Sequence, residues 1–291
     1  MTGATLIEDN WTGDDVSVAE IERELARLRD STSQAGSQPN LRTSVMTHIG
    51  WAPPEWLDAA ETTLMGMAER HPSRTLILVP KPDEEDGLDA QLSIRCFPIG
   101  DRAVCGEVIE LSLRGNRAYA PASIVLPLLI SDLPVFCRWR GEPPFGSIEF
   151  EQTVDIVDRL IVDSSEWGEL RYDDLFAVFG RAAVSDIAWA RTAAWRAELA
   201  TYWPAIREQE IWIRGPLAEG TLIRAWLNAR LDRAIRELEV APELALRLGG
   251  EELRQPRGDK PTPSDLLSAE LDHFGRDPIY EEAVRAAAAG T

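Results

Sequence analysis

The sequence contains no apolar run of about 18 residues or more, so no helical membrane span is expected. Its opening stretch, MTGATLIEDNWTGDD, has neither a basic segment nor an apolar block. No signal peptide is therefore predicted, and the expected location is the cytoplasm. Lysine is nearly missing: Lys81 and Lys260 are the only two among 30 basic residues. Against them stand 49 acidic residues, for a formal charge of −19. Such a surface repels phosphate backbones and anionic lipid, and no local basic stripe overrides it. Nucleic acid and membrane are excluded as expected partners; a basic protein surface or a cation stays compatible.

Chemistry-bearing motifs are missing too. No GxGxxG follows a strand, no GxxxxGK[ST] occurs and there is no GxSxG elbow, which excludes the common nicotinamide, P-loop and α/β-hydrolase readings. The histidines His48, His71 and His273 lie far apart without HxH or HxxxH spacing. The cysteines Cys96, Cys105 and Cys137 form no CxxC pair. Period-2 counting puts each on the apolar side of a strand: Cys96 with Leu92 and Ile94, Cys105 with Ile109, Leu111 and Leu113, Cys137 with Val135 and Trp139. They are expected to be buried structural thiols, with stability indifferent to chelators and mild reductant. No catalytic residue, metal ligand or cofactor is predicted.

What the chain does have is arginine and tryptophan. Twenty-eight of the basic residues are arginine, and ten tryptophans outnumber seven phenylalanines and four tyrosines. Both residue types are enriched at protein-binding hot spots, where large contact area meets directional bonding. Hydrophobic residues at 44% and charged residues at 27% suit a chain of 291 residues that buries a core.

Alternating helical and strand patterns predict an α/β fold: a mixed, mainly parallel sheet with helices on both faces, plus a smaller α/β C-terminal domain. Three parts are expected: an N-terminal helical arm and linker (1–39), an α/β domain (40–184) and a smaller helix-rich α/β domain (185–291). The arm's helix, from about Ser17 to Asp30, opens on a Ser17/Glu20 capping box and carries the narrow stripe Ile21, Leu25 and Leu28. The polar STSQAGSQPN that follows reads as a flexible linker, making the arm semi-detached. Strands are expected at 41–48, Arg74–Val79, 91–97, 105–113, 134–139 and Arg159–Asp163. Helices are expected after Pro53–Pro54, at 121–131 (buried, kinked at Pro127) and at 169–180 with Tyr172, Leu175, Phe176 and Phe179 inward. A long helix capped by Asp186 should run to Trp203–Pro204.

Five strings, in order, carry a family resemblance: HPSRTLIL at 71–78, DLPVFCRWRGEPP at 132–144, VDRLIVDSS at 157–165, DIAWARTAAWR at 186–196 and DLLSAELDHFGRDPIYEEAVRA at 265–286. Together they resemble the glucose-6-phosphate dehydrogenase assembly proteins, OpcA. The resemblance implies a non-catalytic accessory protein that binds glucose-6-phosphate dehydrogenase and promotes its active oligomer in the oxidative pentose phosphate pathway. The stretch after DLPV departs from the family pattern, which is richer in aromatics there.

Two stretches supply candidate partner-binding residues. On a helix at 187–203, Trp189, Arg196 and Trp203 share one stripe, which is either part of a wide core surface or a Trp-Arg-Trp ledge for a partner. In DLPVFCRWRGEPP, Arg138 and Arg140 alternate with Trp139 and lead into a Gly/Pro loop, where open α/β sheets tend to hold ligands. They either hold an anionic group or are solvated on an edge strand. The alternative function is a stand-alone sugar-phosphate-binding protein or enzyme, with Arg74, Arg138 and Arg140 as anion ligands and His71 as base.

Overall fold

The computed structural model describes residues 7–35, 40–41, 44–65, 67, 70–99, 102–235, 237–256 and 260–290. Contacts divide the chain into two compact units, Met1–Leu160 and Ile161–Thr291. No helix among the described residues is long and apolar enough to cross a membrane.

The first unit holds β1 (Ile7–Gly13), α1 (Val18–Ala35), β2 (Asn40–Leu41), β3 (Thr47–Trp51), α2 (Leu57–Met65), β4 (Arg74–Lys81), β5 (Gly87–Ile99) and β6 (Arg102–Arg114). After these come α3 (Pro121–Val125), β7 (Val135–Trp139), α4 (Ile148–Ile156) and the start of β8 (Arg159–Val162). Its strands run in the order β1-β5-β6-β4-β3-β7, with β2 beside β6. The β3–β4, β3–β7, β4–β6 and β2–β6 pairs are parallel, while β1–β5 and β5–β6 are antiparallel. The mixed, mainly parallel sheet is therefore present. The near-continuous apolar run in β4, Thr75–Val79, is what burial on both faces of a parallel strand demands.

Alternation decides what each face carries. Leu92, Ile94, Ile109, Leu111, Leu76 and Leu78 share one face, on the side of α1, whose stripe Ile21, Leu25 and Leu28 is almost fully buried. Ile77 and Val79 point the other way and pack with Ala52 and Ala60, where α2 covers them.

The arm is not detached. β1 pairs with β5 over seven residues, from Ile7↔Cys96 to Gly13↔Ala90. Ser17 caps α1, its Oγ accepting from the Glu20 amide at 3.2 Å. The helix continues through Ser31–Ala35, the first half of the expected linker. Buried Thr32 returns its hydroxyl to the Leu28 carbonyl, and Ser31 bonds Asp9 of β1. Tertiary contact thus extends a helix that local composition would have ended.

The cysteine expectation is also corrected. Cys96 and Cys105 are register partners across the β5–β6 hairpin and form a disulfide, with Cα atoms 4.1 Å apart. That separation matches a non-hydrogen-bonded antiparallel pair, the position where cross-strand side chains come closest. Cys137 is a buried free thiol, and burial pushes its pKa up to about 12.

The 121–131 stretch is not one kinked helix: Pro127 leaves a short α3 followed by a 3-10 turn, with Leu126 exposed.

The second unit contains α5 (Tyr172–Val178), β9 (Ala183–Asp186), α6 (Ile187–Arg191), α7 (Ala193–Ala200), β10 (Ile211–Gly215), α8 (Leu217–Leu231), β11 (Leu238–Val240), β12 (Ala245–Leu248), β13 (Glu251–Glu252), α9 (Pro263–Leu271) and α10 (Pro278–Gly290). A small sheet runs β11-β10-β12-β13. Ile211, Ile213, Leu246 and Leu248 on its inner face join Ile223, Leu227 and Leu231 of α8 in one core. The single long helix expected after Asp186 is two helices. They break at Thr192, whose hydroxyl bonds back to the Trp189 carbonyl at 2.7 Å. Phe176, expected inward, is partly exposed beneath Arg285.

Candidate functional site

Parallel pairing aligns β4, β3 and β7, so residues from HPSRTLIL and DLPVFCRWRGEPP meet on both sides of one strand. On the α2 side lie His48, Gly50, Phe136 and Arg138. Arg138 and Arg140 are both buried, so they are not solvated arginines of an edge strand. Arg138 donates to the Trp139 carbonyl, and Arg140 reaches α2 through Thr63 Oγ1 at 2.8 Å. Trp139, on the opposite face, stacks on Trp51 with centroids 4.5 Å apart and takes the edge of Phe150 at 5.2 Å. His48 is fully enclosed, and among the described residues neither ring nitrogen has a hydrogen-bond partner. Burial, followed by the charges of His71, Arg138 and Arg140, lowers its pKa to about 3. It is a neutral core residue, and three isolated histidines in a sequence give no hint of that.

Arg74 and His71, grouped by the anion-binding reading, are separated. Arg74 faces α1, giving Nε to Glu107 Oε2 at 2.8 Å and Nη1 to the Leu128 carbonyl at 2.6 Å. Arg29 grips the same carboxylate at 2.5 Å. Burial would raise the Glu107 pKa, but the two guanidinium groups outweigh it and hold it below the usual range. Arg74 therefore serves an internal ion pair.

His71 instead borders a cleft of about 310 Å³ between α2 and the adjoining face of β4, β6 and β5. Glu61, Leu64 and Met65 form its helical wall, and Thr75, Gln91, Ser93, Val108 and Glu110 belong to its floor. Sequence reasoning missed it, although Gln91, Ser93 and Arg95 at every second position mark one polar face of β5.

In the second unit three of the strings converge on Asp186. Its Oδ1 accepts from the amides of Ser164 (3.1 Å) and Ala188 (2.8 Å), and Oδ2 from the hydroxyls of Ser164 (2.6 Å) and Tyr280 (3.3 Å). Asp186 is thus an N-cap and also the centre of a buried node. Burial, then the charge of Asp163, raises its pKa to about 7 despite those hydrogen bonds. Arg191 of α6 bonds both Asp163 (3.0 Å) and Glu219 (3.1 Å).

The Trp-Arg-Trp stripe is split. Trp189 is buried, its Nε1 donating to Asp277 at 3.1 Å, and the Arg196 guanidinium lies over its ring at 3.6 Å. Trp203 is half exposed and carries Arg207 at 5.2 Å. The break at Thr192 removes the helical phase that put the three on one stripe. A third Trp–Arg pair, unforeseen, stands on the outer face of the small sheet. There Arg247 covers Trp212 at 4.3 Å, with Arg214 bonded to Glu239 beside them. The alternation Ile-Trp-Ile-Arg in β10 is the sequence signal for it. Exposed or half-exposed Trp and Arg with no enclosing core are hot-spot material.

Comparison with known proteins adds to this geometry. Residues 66–175 match a family described as Glucose-6-phosphate dehydrogenase subunit N-terminal domain. Three curated relatives are provisionally named OxPP cycle protein OpcA. The Nostoc punctiforme protein is 29% identical over 185 residues, 57% of this chain and 39% of its own. The Synechocystis protein is 28% identical over 137 residues, covering 45% and 29%. The Synechococcus elongatus protein is 27% identical over 187 residues, covering 57% and 41%. The matched regions span at most 41% of these relatives' length. No solved structure gives a significant match.

Proposed function

We propose, from the premise that the chain belongs to the OpcA family, that it is a non-catalytic accessory protein of glucose-6-phosphate dehydrogenase. It binds the dehydrogenase in the cytoplasm and promotes its active oligomer in the oxidative pentose phosphate pathway. The observation that carries this reading is the family match over residues 66–175, whose description names the dehydrogenase. The net charge of −19 and the Trp–Arg pairs at Trp203 and Trp212 are compatible with a protein partner. The sugar-phosphate alternative loses its Arg74–His71 pair, because Arg74 is bound to Glu107.

The test is to mix the purified chain with the dehydrogenase from the same cells. Size-exclusion chromatography with light scattering, and the dehydrogenase rate, are then followed together. A co-eluting complex with a larger dehydrogenase oligomer and a higher rate is expected. Separate elution with an unchanged rate would overturn the proposal.

A further inference from the structure

The cleft beside α2 has an internal polarity. Glu110 and Gln91 are register partners on β6 and β5, and Glu61 reaches the same end from α2. Arg95 lies four residues further along β5, beside Gly106. At about 3.4 Å per residue that is roughly 13 Å away, so the two ends are electrostatically distinct. The Glu61 carboxyl is a neighbour of Glu110 at this end and makes Glu110 harder to ionise. Between the ends, Ser93 is more than nine-tenths buried, lines the cleft, and makes no hydrogen bond among the described residues. Its hydroxyl is therefore open to whatever occupies the cleft. Thr75, beside it, already bonds Ser73 at 3.2 Å. The helical wall is of a different character: Leu64 and Met65 offer an apolar strip, and Met65 is 59% exposed.

We propose that the Glu61–Glu110 end of this cleft binds an organic cation, an alkylammonium or guanidinium group. The two carboxyls and the Ser93 hydroxyl accept its hydrogen bonds, and Leu64 and Met65 hold its hydrocarbon stem. A donor-only head group on an alkyl stem matches acceptors at the floor and hydrocarbon on the wall. A metal ion matches less well, since no group of three or more His, Cys, Asp or Glu among the described residues could hold one.

Burial first, and then Glu61, raise the Glu110 pKa, while Lys81 of β4 works against them. His71 and Arg95 are the other ionisable side chains on the cleft; Glu107 borders it but turns its carboxylate to Arg29 and Arg74 on the other face of the sheet. Cation binding should therefore weaken on acidification and release protons to the buffer.

The probe is agmatine, a guanidinium and an ammonium joined by a short stem, with butanediol as the uncharged control. Calorimetry on the full chain should show saturable agmatine binding whose heat depends on the buffer's ionisation enthalpy. Butanediol should not bind. Glu110→Gln and Glu61→Gln should each weaken agmatine about tenfold or more, and Ser93→Ala by a smaller factor. Thermal melts of the isosteric Gln variants confirm that they are folded.

Agmatine binding that is equal in wild type and both Gln variants, or matched by butanediol, would overturn the proposal. So would no agmatine binding together with unchanged capture of the dehydrogenase by Glu110→Gln. Two sources of the cation remain to be separated, and this arm alone rests on the proposed partnership. If agmatine displaces the dehydrogenase, or if Glu110→Gln weakens its capture, the cation is a Lys or Arg side chain of that protein. If agmatine binds without displacing it, the ligand is a free amine.

Discussion

The Tyr280 hydroxyl of α10 donates to the carboxylate of Asp186, 94 residues earlier, at 3.3 Å inside the second unit. The Ser164 hydroxyl meets the same oxygen at 2.6 Å. This node joins three separate sequence strings, and its raised pKa predicts a pH-sensitive second unit. The lowered pKa of His48 predicts the opposite sign for the first unit.

The sign follows from proton counts. Asp186 rises from an ordinary 3.8 to about 7, so between those values the folded state holds a proton that the unfolded state has lost. The contribution of Asp186 to stability is therefore greatest below about 4 and is lost as pH rises through about 7. Asp186→Asn should abolish this decline. Hydrogen-exchange mass spectrometry at pH 5 and pH 8, read on peptides of α6 and α10, measures it. Equal protection ratios in wild type and variant would contradict the prediction.

His48 falls from 6.5 to about 3, so between those values the unfolded state binds the extra proton. Acidification from pH 7 to pH 4 should destabilise the first unit, read on peptides of β3 and β4. His48→Leu removes two unsatisfied ring nitrogens and should be neutral or stabilising by about 1 kcal/mol, with a flatter pH profile. A denaturant midpoint lowered by the substitution would show that the ring does have a partner.

Reduction should weaken the first unit. The Cys96–Cys105 bridge closes a short loop, with a sequence separation of 9. On a chain-entropy argument its loss costs about 2.6 kcal/mol. Dithiothreitol, or Cys96→Ala with Cys105→Ala, should lower the thermal midpoint by several degrees, while Cys137→Ala should not reproduce the reductant's effect. Calorimetry with and without reductant decides it.

Removing residues 1–39 should leave an insoluble chain or one that melts far lower. The deletion uncovers Leu92, Ile94, Ile109 and Leu111, strips β1 from the sheet edge, and takes Arg29 from Glu107. An exposed apolar face beside an unpaired strand edge promotes aggregation. A soluble truncated chain with an unchanged circular-dichroism melt would refute this.

If the outer face of the small sheet is where the dehydrogenase docks, Trp212→Ala should weaken capture by about 2 kcal/mol, the scale of a hot spot. Trp203→Ala serves as a second probe, and Trp189→Ala as a control that destabilises the fold. Surface plasmon resonance with immobilised dehydrogenase separates these cases. Full affinity in both exposed-Trp variants would move the interface elsewhere.

Local pattern alone was enough to identify the alternating elements, the mainly parallel sheet and the smaller second sheet. Runs such as Thr75–Val79 and the alternation in Ile211–Arg214 state which side of a strand is apolar, whatever that side later meets. The Ser17 and Asp186 caps were equally readable, because a cap needs only its own first turn. Contacts remote in sequence decided the rest. Period-2 counting put Cys96 and Cys105 on apolar faces, but register alone set them opposite each other. The stripe Ile21, Leu25 and Leu28 showed a docking face without naming its surface, and β1–β5 pairing made the arm part of the sheet. The cleft needed α2 to lie beside β5 and β6. The physical reason is common to these three: sequence periodicity reports which groups must leave water, and long-range pairing chooses what they leave it for. The break at Thr192 is local, a hydroxyl bond to the Trp189 carbonyl three residues back, and periodicity counting simply ran through it.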